Sequence, residues 1–463
     1  MILMTVIHLL LLLVAVSSSP PAPSFEEFDL KLYSTLSQNK KNENVFFSPA
    51  SISLAMSMCA VGAQQETLKQ MLKTFEVSSR KQLIETAEQM MHIFSIANQD
   101  KQVQLKLANR LYAQKAYQLQ EEYLKIVQNS FKADIKLEDF ENESAQAVQR
   151  INAWVEQQTN KLIRNLLSTK DITPETRLIL INSIYFKGTW IKEFNQNLTK
   201  KNADFYETNG KISKVTLMHQ REKYAYAENN DLYVQIVHVP YIKFNQNLTK
   251  KNADFYETNG KISKVTLMHQ REKYAYAENN DLYVQIVHVP YKSENKDVEF
   301  VFTVILPNRG VQLDVVEQKL ASRPDLMQNL LSHQNTKTEE LLLYLPRFKM
   351  ETTFELSDIL QQLGMKDAFR GDKANFSGIV SEKDNKDHLY ISKVIHKAFI
   401  DVNEQGSEAA AATAVIIPIS ASVHQPPHPI EFKADRPFLF FIRESRQNIV
   451  LFSGRFISPP TNS

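Results

Sequence analysis

The sequence predicts a mixed α+β fold, and three features predict it. Apolar residues at helical spacing open the chain, with Phe25, Phe28, Leu32 and Leu36 on one face, as a 3.6-residue period requires. Farther on, continuous apolar runs of strand length stand at Leu178–Gly188, Glu299–Leu306 and Asp435–Ile442, the pattern of strands buried on both faces. The third feature is a segment of small residues, Asn403 to Ile419, which alternates with a period of two from Ser407.

The elements follow in order. Met1 to Ser19 carries an apolar run from Leu9 to Val16 that ends in Ser17-Ser18-Ser19, the form of a cleaved secretory signal. Such a run is too short for a comfortable transmembrane helix. Residues 20–463 are therefore expected to form one soluble, secreted, monomeric domain. Ser24 to Ser37 is the first helix, and Ser48-Pro49 opens a second, a capping hydroxyl followed by proline at the first helical position. This second helix runs past Cys59, the only cysteine, which is expected in the core. Glu66 to Lys136 suggests several helices and one strand with no marked basic face, so glycosaminoglycan binding is not indicated. Asn182 interrupts the apolar run that leads to Trp190, and a buried amide there must find partners. A strand at Leu341–Leu345 precedes a helix with Leu356, Ile359, Leu360 and Leu363 that stops at Gly364. Tyr390 to Val402, with His396 inside it, leads into the small-residue segment, and two further strands end the chain. Four sequons, Asn142, Asn197, Asn247 and Asn375, suit a secreted glycoprotein.

One stretch is duplicated. Phe194–Tyr241 recurs without a single difference as Phe244–Tyr291. Structural repeats diverge while keeping a pattern, and solenoids need at least three units; two perfect copies are neither. One copy suffices for the expected strands, so the other is expected to extrude as a loop or to compete in register with its twin.

The small-residue segment has two faces. Ser407, Ala409, Ala411, Thr413, Val415, Ile417 and Ile419 form one, and Glu408, Ala410, Ala412, Ala414, Ile416 and Pro418 the other. Small side chains would let such a strand slide between two existing strands. Alanine, however, favours helix over strand, so local preference does not select one conformation.

Composition bounds the function. With 43% hydrophobic and 23% charged residues and a net charge of +2, the chain offers no basic surface for nucleic acid or membrane. Ten glycines and no phosphate-loop or dinucleotide fingerprint speak against nucleotide cofactors. Phe376-Ser-Gly and Phe452-Ser-Gly lack the first glycine of a nucleophile elbow. No metal-ligand spacing rises above the weak pair His424 and His428. No enzymatic chemistry, cofactor or metal is expected.

Asn403-Glu404-Gln405-Gly406-Ser407-Glu408, followed by Ala409, Ala410, Ala411, Ala412 and Thr413, resembles the hinge of an inhibitory serpin. Asn44 to Ser53, the Asn182 strand, the His396 strand and the two C-terminal strands resemble serpin segments in the same order. The resemblance implies the serpin fold, three β-sheets with about eight or nine helices and an exposed reactive-centre loop over about 404–432. It places Ser48, Ser51, Asn182 and His396 in the shutter that controls sheet opening, and Trp190 in the breach where the loop enters. Without one repeat copy the mature chain is near ordinary serpin length. The implied activity is suicide inhibition of an extracellular serine protease through a covalent complex. Counting from Glu404 sets the scissile bond between Ser420 and Ala421, with Ile419 and Val423 as alternatives. No Lys, Arg, Phe, Tyr or Trp lies between Ala409 and Ile430, which excludes trypsin-like and chymotrypsin-like pockets and leaves elastase-like enzymes with small or aliphatic pockets. The hinge and its neutral loop are similar to those of salivary serpins from blood-feeding arthropods. The alternative is a non-inhibitory serpin acting as carrier, chaperone or storage protein, or one whose inhibition the duplication has abolished.

Overall fold

Strand pairing at one seam decides the architecture, and the helices cover it. The computed structural model describes residues 25–41, 43–190, 194, 196–197, 199–207, 211–229, 234–239, 250–256, 262–270, 276–279, 284–287, 293, 295, 297–331, 337–381, 383, 388–404, 406–407 and 430–459. The helices are α1 (Glu26–Asn39), α2 (Pro49–Gly62), α3 (Gln65–Phe75), α4 (Arg80–Gln99), α5 (Glu121–Phe131), α6 (Ser144–Gln158), α7 (Leu313–Ser322), α8 (Pro324–Leu331) and α9 (Ser357–Leu363). The first buries Phe28, Leu32 and Leu36, the face that the spacing predicts. All of α2 is buried, and Ser48 caps it, its Oγ accepting from the Ser51 N–H at 3.1 Å. Cys59 lies on α2 with no exposure, and burial pushes its thiol up to about 12, so it stays an inert core side chain.

A central sheet contains β2 (Val103–Gln114), β3 (Asp134–Glu138), β4 (Leu178–Gly188), β13 (Lys337–Glu355) and β14 (Ile391–Asn403). Its order is β3-β2-β4-β14-β13, with β4 and β14 parallel. The expected single strand before Lys136 is thus two. The second, β3, alternates Ile135 and Leu137 with charged residues but is only five residues long and partly or fully exposed along its length, too short a pattern to stand out. Two further strands, β5 (Lys200–Tyr206) and β6 (Ile212–Asn229), form a hairpin on the first half of β13. Next, β7 (Val234–Val239) joins β6 to β12 (Phe300–Pro307). Beyond β12 lie β17 (Phe438–Glu444), β18 (Ile449–Phe456) and β1 (Val45–Phe47). Both β6 and β13 are long, 18 and 19 residues, and each changes partners along its length: β6 pairs with β5 as far as Leu217 and with β7 from Ala225, and β13 passes from β6 to β14, and so from one sheet to the other, at Pro346–Phe348. Stacked rings of Phe46, Phe440 and Phe452 fill the core. Only glycine fits at 454, where a Cβ would stand 2.3 Å from the Phe440 ring.

The repeat's second copy forms β8 (Lys250–Tyr256), β9 (Ile262–Gln270), β10 (Tyr276–Asn279) and β11 (Val284–Val287). The β8–β9 hairpin has the register of β5–β6, Ala253 opposite Val265 as Ala203 is opposite Val215. The second copy pairs chiefly with the first, β9 running parallel to β6 and β11 meeting its end. Among the described residues its one ladder pair with β13 is Pro346–Leu267. Between the ends of the repeat, β12 and β13 take their partners from the first copy. Deleting residues 242–291, which joins Tyr241 to Lys292, should therefore leave a folded protein with one cooperative thermal transition and unchanged near-ultraviolet circular dichroism. An unfolded or molten product would overturn that assignment.

Candidate functional site

Parallel pairing of β4 with β14 runs from Leu178–Ile391 to Tyr185–Phe399. Because Asn182 pairs with His396 on one side and with Asn109 on the other, three polar side chains form a row across an apolar sheet. Beneath this row lies the N-terminus of α2. Ser51 Oγ donates to Asn182 Oδ1 at 3.0 Å, and Asn182 Nδ2 donates to the Ser51 carbonyl at 3.1 Å and to Asn109 Oδ1. Ser48 Oγ donates to the Leu451 carbonyl at 2.5 Å. The structure thus brings Ser48, Ser51, Asn182 and His396 into one buried cluster. Asn109 completes it, and sequence reasoning missed this residue. Its signal was the same as that of Asn182, an amide at an inward position of a strand, after Leu105 and Leu107.

His396 is neutral. The Ser48 N–H donates to its Nε2 at 3.2 Å, so that nitrogen is the acceptor and Nδ1 carries the proton toward Asn182 Oδ1. Full burial holds its pKa down at about 3, because nothing in the cluster offers a negative charge to an imidazolium.

Trp190 stands at the end of the seam where the strands part. It is fully buried, donates Nε1–H to the Asn403 carbonyl at 2.7 Å, and packs against Phe302. The next residue, Glu404, is held from three sides. Phe194 N–H donates to its carbonyl at 2.6 Å, Thr199 Oγ1 donates to its Oε1 at 2.6 Å, and Arg347 lies 3.6 Å from its Oε2. Glu404 is only 2% exposed, so the loop expected to be exposed from 404 begins inside the protein; burial is tolerated because each carboxylate oxygen has a partner. At the other end, β16 (Ile430–Lys433) already pairs with β13.

After Glu404 the chain turns back on β14. A short strand, β15 (Gly406–Ser407), runs antiparallel to it, with Val402 opposite Ser407 and Asn403 opposite Gly406. Glu408, Ala409 to Ala412, Thr413, Ile419, Ser420, Ala421 and Val423 lie outside the described residues, as do Asn247 and the expected signal, residues 1–19. Asn142 and Asn197 are exposed. Asn375 is half-buried, its Oδ1 accepting from the Ser377 N–H at 3.1 Å.

With this geometry established, comparison with known proteins is specific. The family model described as "Serpin (serine protease inhibitor)" matches residues 23–249 and again 242–459, and the break falls at the second copy of the repeat. The chain is 31% identical to Serpin B3 of Homo sapiens over 94% of this chain and 98% of that one. It is 33% identical to the leukocyte elastase inhibitor of Homo sapiens, over 93% and 97%. Serpin48 of the insect Tenebrio molitor superimposes with a TM-score of 0.70 at 25% identity, covering 94% of this chain and 97% of that chain.

The buried histidine makes stability pH-dependent. Its folded pKa, about 3, lies below its ordinary value of 6.5, so protons bind the unfolded chain more readily, and the stabilisation present above pH 6.5 is lost as pH falls toward 3. The slope has a ceiling of about 1.4 kcal/mol per pH unit. In urea unfolding at stepped pH, His396→Gln should be less stable at neutrality and show a shallower acid limb. Equal slopes in both proteins would contradict the neutral assignment.

Proposed function

The chain belongs to the serpin family, and on that premise we propose that it is a secreted suicide-substrate inhibitor of extracellular serine proteases, with elastase-like or other small- or aliphatic-pocket enzymes as targets. The family is described by serine protease inhibition, so the chain acts on an enzyme rather than as one. The observation that carries the reading is β15, which lies antiparallel to β14 beyond the last β4–β14 pair.

Continuing that register inserts a strand between β4 and β14. Ala409 would face Ile400, Ala411 would face Ala398, and Thr413 would reach His396. Directly opposed residues of antiparallel strands point to one side of the sheet. Ile400, Ala398 and His396 are fully buried, so Ala409, Ala411 and Thr413 would enter the core, which demands small side chains there. Insertion as far as Thr413 separates Asn182 from His396, and the threonine hydroxyl is the one polar group that the segment carries to replace the lost partner.

The chemistry begins with the protease. Its serine oxygen attacks the carbonyl carbon of Ser420, an ester forms, and the amine of Ala421 leaves with the C-terminal fragment. Ile419 and Val423 remain the alternative acyl positions. Insertion before hydrolysis would carry the ester and the protease to the far end of β14, since Pro418 falls opposite Ile391 in the same register. Support for the target class comes from the absence of Lys, Arg, Phe, Tyr and Trp between Ala409 and Ile430 and from the relative named for inhibiting leukocyte elastase.

Incubation with a neutrophil-type elastase should give a band stable to denaturing electrophoresis, and trypsin should not; the mass of the released C-terminal fragment identifies the bond. Cleavage without a complex would favour a non-inhibitory serpin. Ala411→Arg should turn the protein into a substrate that is cut at the same bond but forms at least tenfold less complex, because a cation cannot enter beside Ala398.

A further inference from the structure

The repeat gives this protein two candidate occupants for one place on its sheets. Registers inside the first copy recur in the second. Lys200 opposite Leu217 and Ala203 opposite Val215, with a bulge between them, match Lys250 opposite Leu267 and Ala253 opposite Val265, bulge included. Tyr226 opposite Val237 likewise matches Tyr276 opposite Val287. The second copy also reaches the place that the first one fills. Pro346 of β13 pairs with Leu217 of β6, and the same Pro346 pairs with Leu267, the counterpart of Leu217. The first copy fills that place with Ala203, Phe205, Tyr206, Leu217 and Met218, none of them exposed. Identical residues at 253, 255, 256, 267 and 268 suit it equally.

An exchange of copies has to break into the chain at a sensitive point, because the repeat begins at Phe194. Trp190 Nε1–H donates to the Asn403 carbonyl at 2.7 Å, Phe194 N–H to the Glu404 carbonyl at 2.6 Å, and Thr199 Oγ1 to Glu404 Oε1 at 2.6 Å. Three donors from one short run thus hold two consecutive residues, and the rings of Trp190 and Phe194 pack edge to face with centroids 6.1 Å apart. With the second copy seated, Thr249 takes the position of Thr199, since each stands one residue ahead of its strand, β8 or β5. The run from Trp190 to that threonine then contains the whole displaced copy, and wherever the break falls its closure becomes roughly fifteenfold less probable.

We propose that the two copies are interchangeable occupants of one place, that the second is seated whenever the first cannot be, and that this second arrangement loosens the hold on Asn403 and Glu404. Neither half rests on protease inhibition. Exchange in the finished molecule has to strip β6 from β13 along the whole ladder from Lys337–Tyr226 to Arg347–Thr216, so the arrangement is set during folding and kept.

The test places Leu217→Asp, which sets a carboxylate in the core, in the full chain, beside Leu267→Asp and the double variant Leu217→Asp/Leu267→Asp. Thermal midpoint and near-ultraviolet circular dichroism report folding. Hydrogen exchange over residues 403–407, read by mass spectrometry, reports the hold on Glu404. The expected result is a midpoint within a few degrees of wild type in each single variant and no cooperative transition in the double variant. Exchange at 403–407 should be at least about fivefold faster in Leu217→Asp than in Leu267→Asp, in line with the lowered closure probability. Loss of folding in Leu217→Asp alone, or a cooperative transition in the double variant, overturns the interchange. A folded Leu217→Asp variant whose exchange at 403–407 matches that of wild type overturns the loosened hold.

Discussion

The seam between β4 and β14 is closed by a complete account of hydrogen bonds around one neutral histidine. His396 receives at Nε2 and gives at Nδ1, while Asn182 gives both amide hydrogens and receives at its oxygen. Each partner sits on a different element: α2, β2, β4 or β14. The account balances only while these four remain adjacent, and a buried group left unpaired costs on the order of 1–3 kcal/mol. On the proposed insertion the cluster would be both a lock and a switch, since a new strand that supplied a hydroxyl at the same level would satisfy the histidine that it exposed.

Chain length explains why a protein with such a seam would keep it closed until cut. An inserted strand that follows β14 through its 13 residues spans roughly 43 Å. The chain must then return to Ile430, which β16 fixes opposite Leu341, beyond the end of the seam where the strand entered. The residues after Pro418 number about a dozen before Ile430 and reach at most about 40 Å fully extended. Full insertion and an intact β16 are incompatible. On the proposed function, cleavage would remove the tether, so the barrier would be covalent and the closed state would persist as a matter of rate.

Much of this was legible in the sequence because buried polar residues in apolar strands demand partners. Asn182 and His396 announce themselves in that way, and Ser48 announces itself as a cap before proline. Asn109 carried the same signal more weakly, in a strand whose other residues include Lys106 and Arg110. Thr199 and Arg347 could not be found, because their role depends on where Glu404 comes to rest, and that follows from a turn joining β14 to β15 rather than from any local pattern. The β14–β15 register, which would set Thr413 level with His396 if continued, needs a pairing partner, which a sequence alone does not supply. The change of partners along β6 and β13 was hidden for a similar reason: each is one continuous strand in sequence and changes neighbours only in space.

The duplication poses the sharpest question of choice. Both copies carry the same side chains, so contact energy cannot select which one supplies the partners of β12 and β13. Connection entropy cannot select either. If the first copy is used, roughly a dozen residues lead from β4 into its first strand and about sixty lead out to β12; if the second is used, about sixty lead in and about eleven lead out. Closure cost varies with the logarithm of length, and the two arrangements differ by well under about 1 kcal/mol. What remains is order in time. The first copy leaves the ribosome first and follows β4 directly, and domains fold from the N-terminus as they emerge. By the time the second copy is complete, the place on the sheets is taken. The occupant that the structure shows is, on this argument, the one that arrives first.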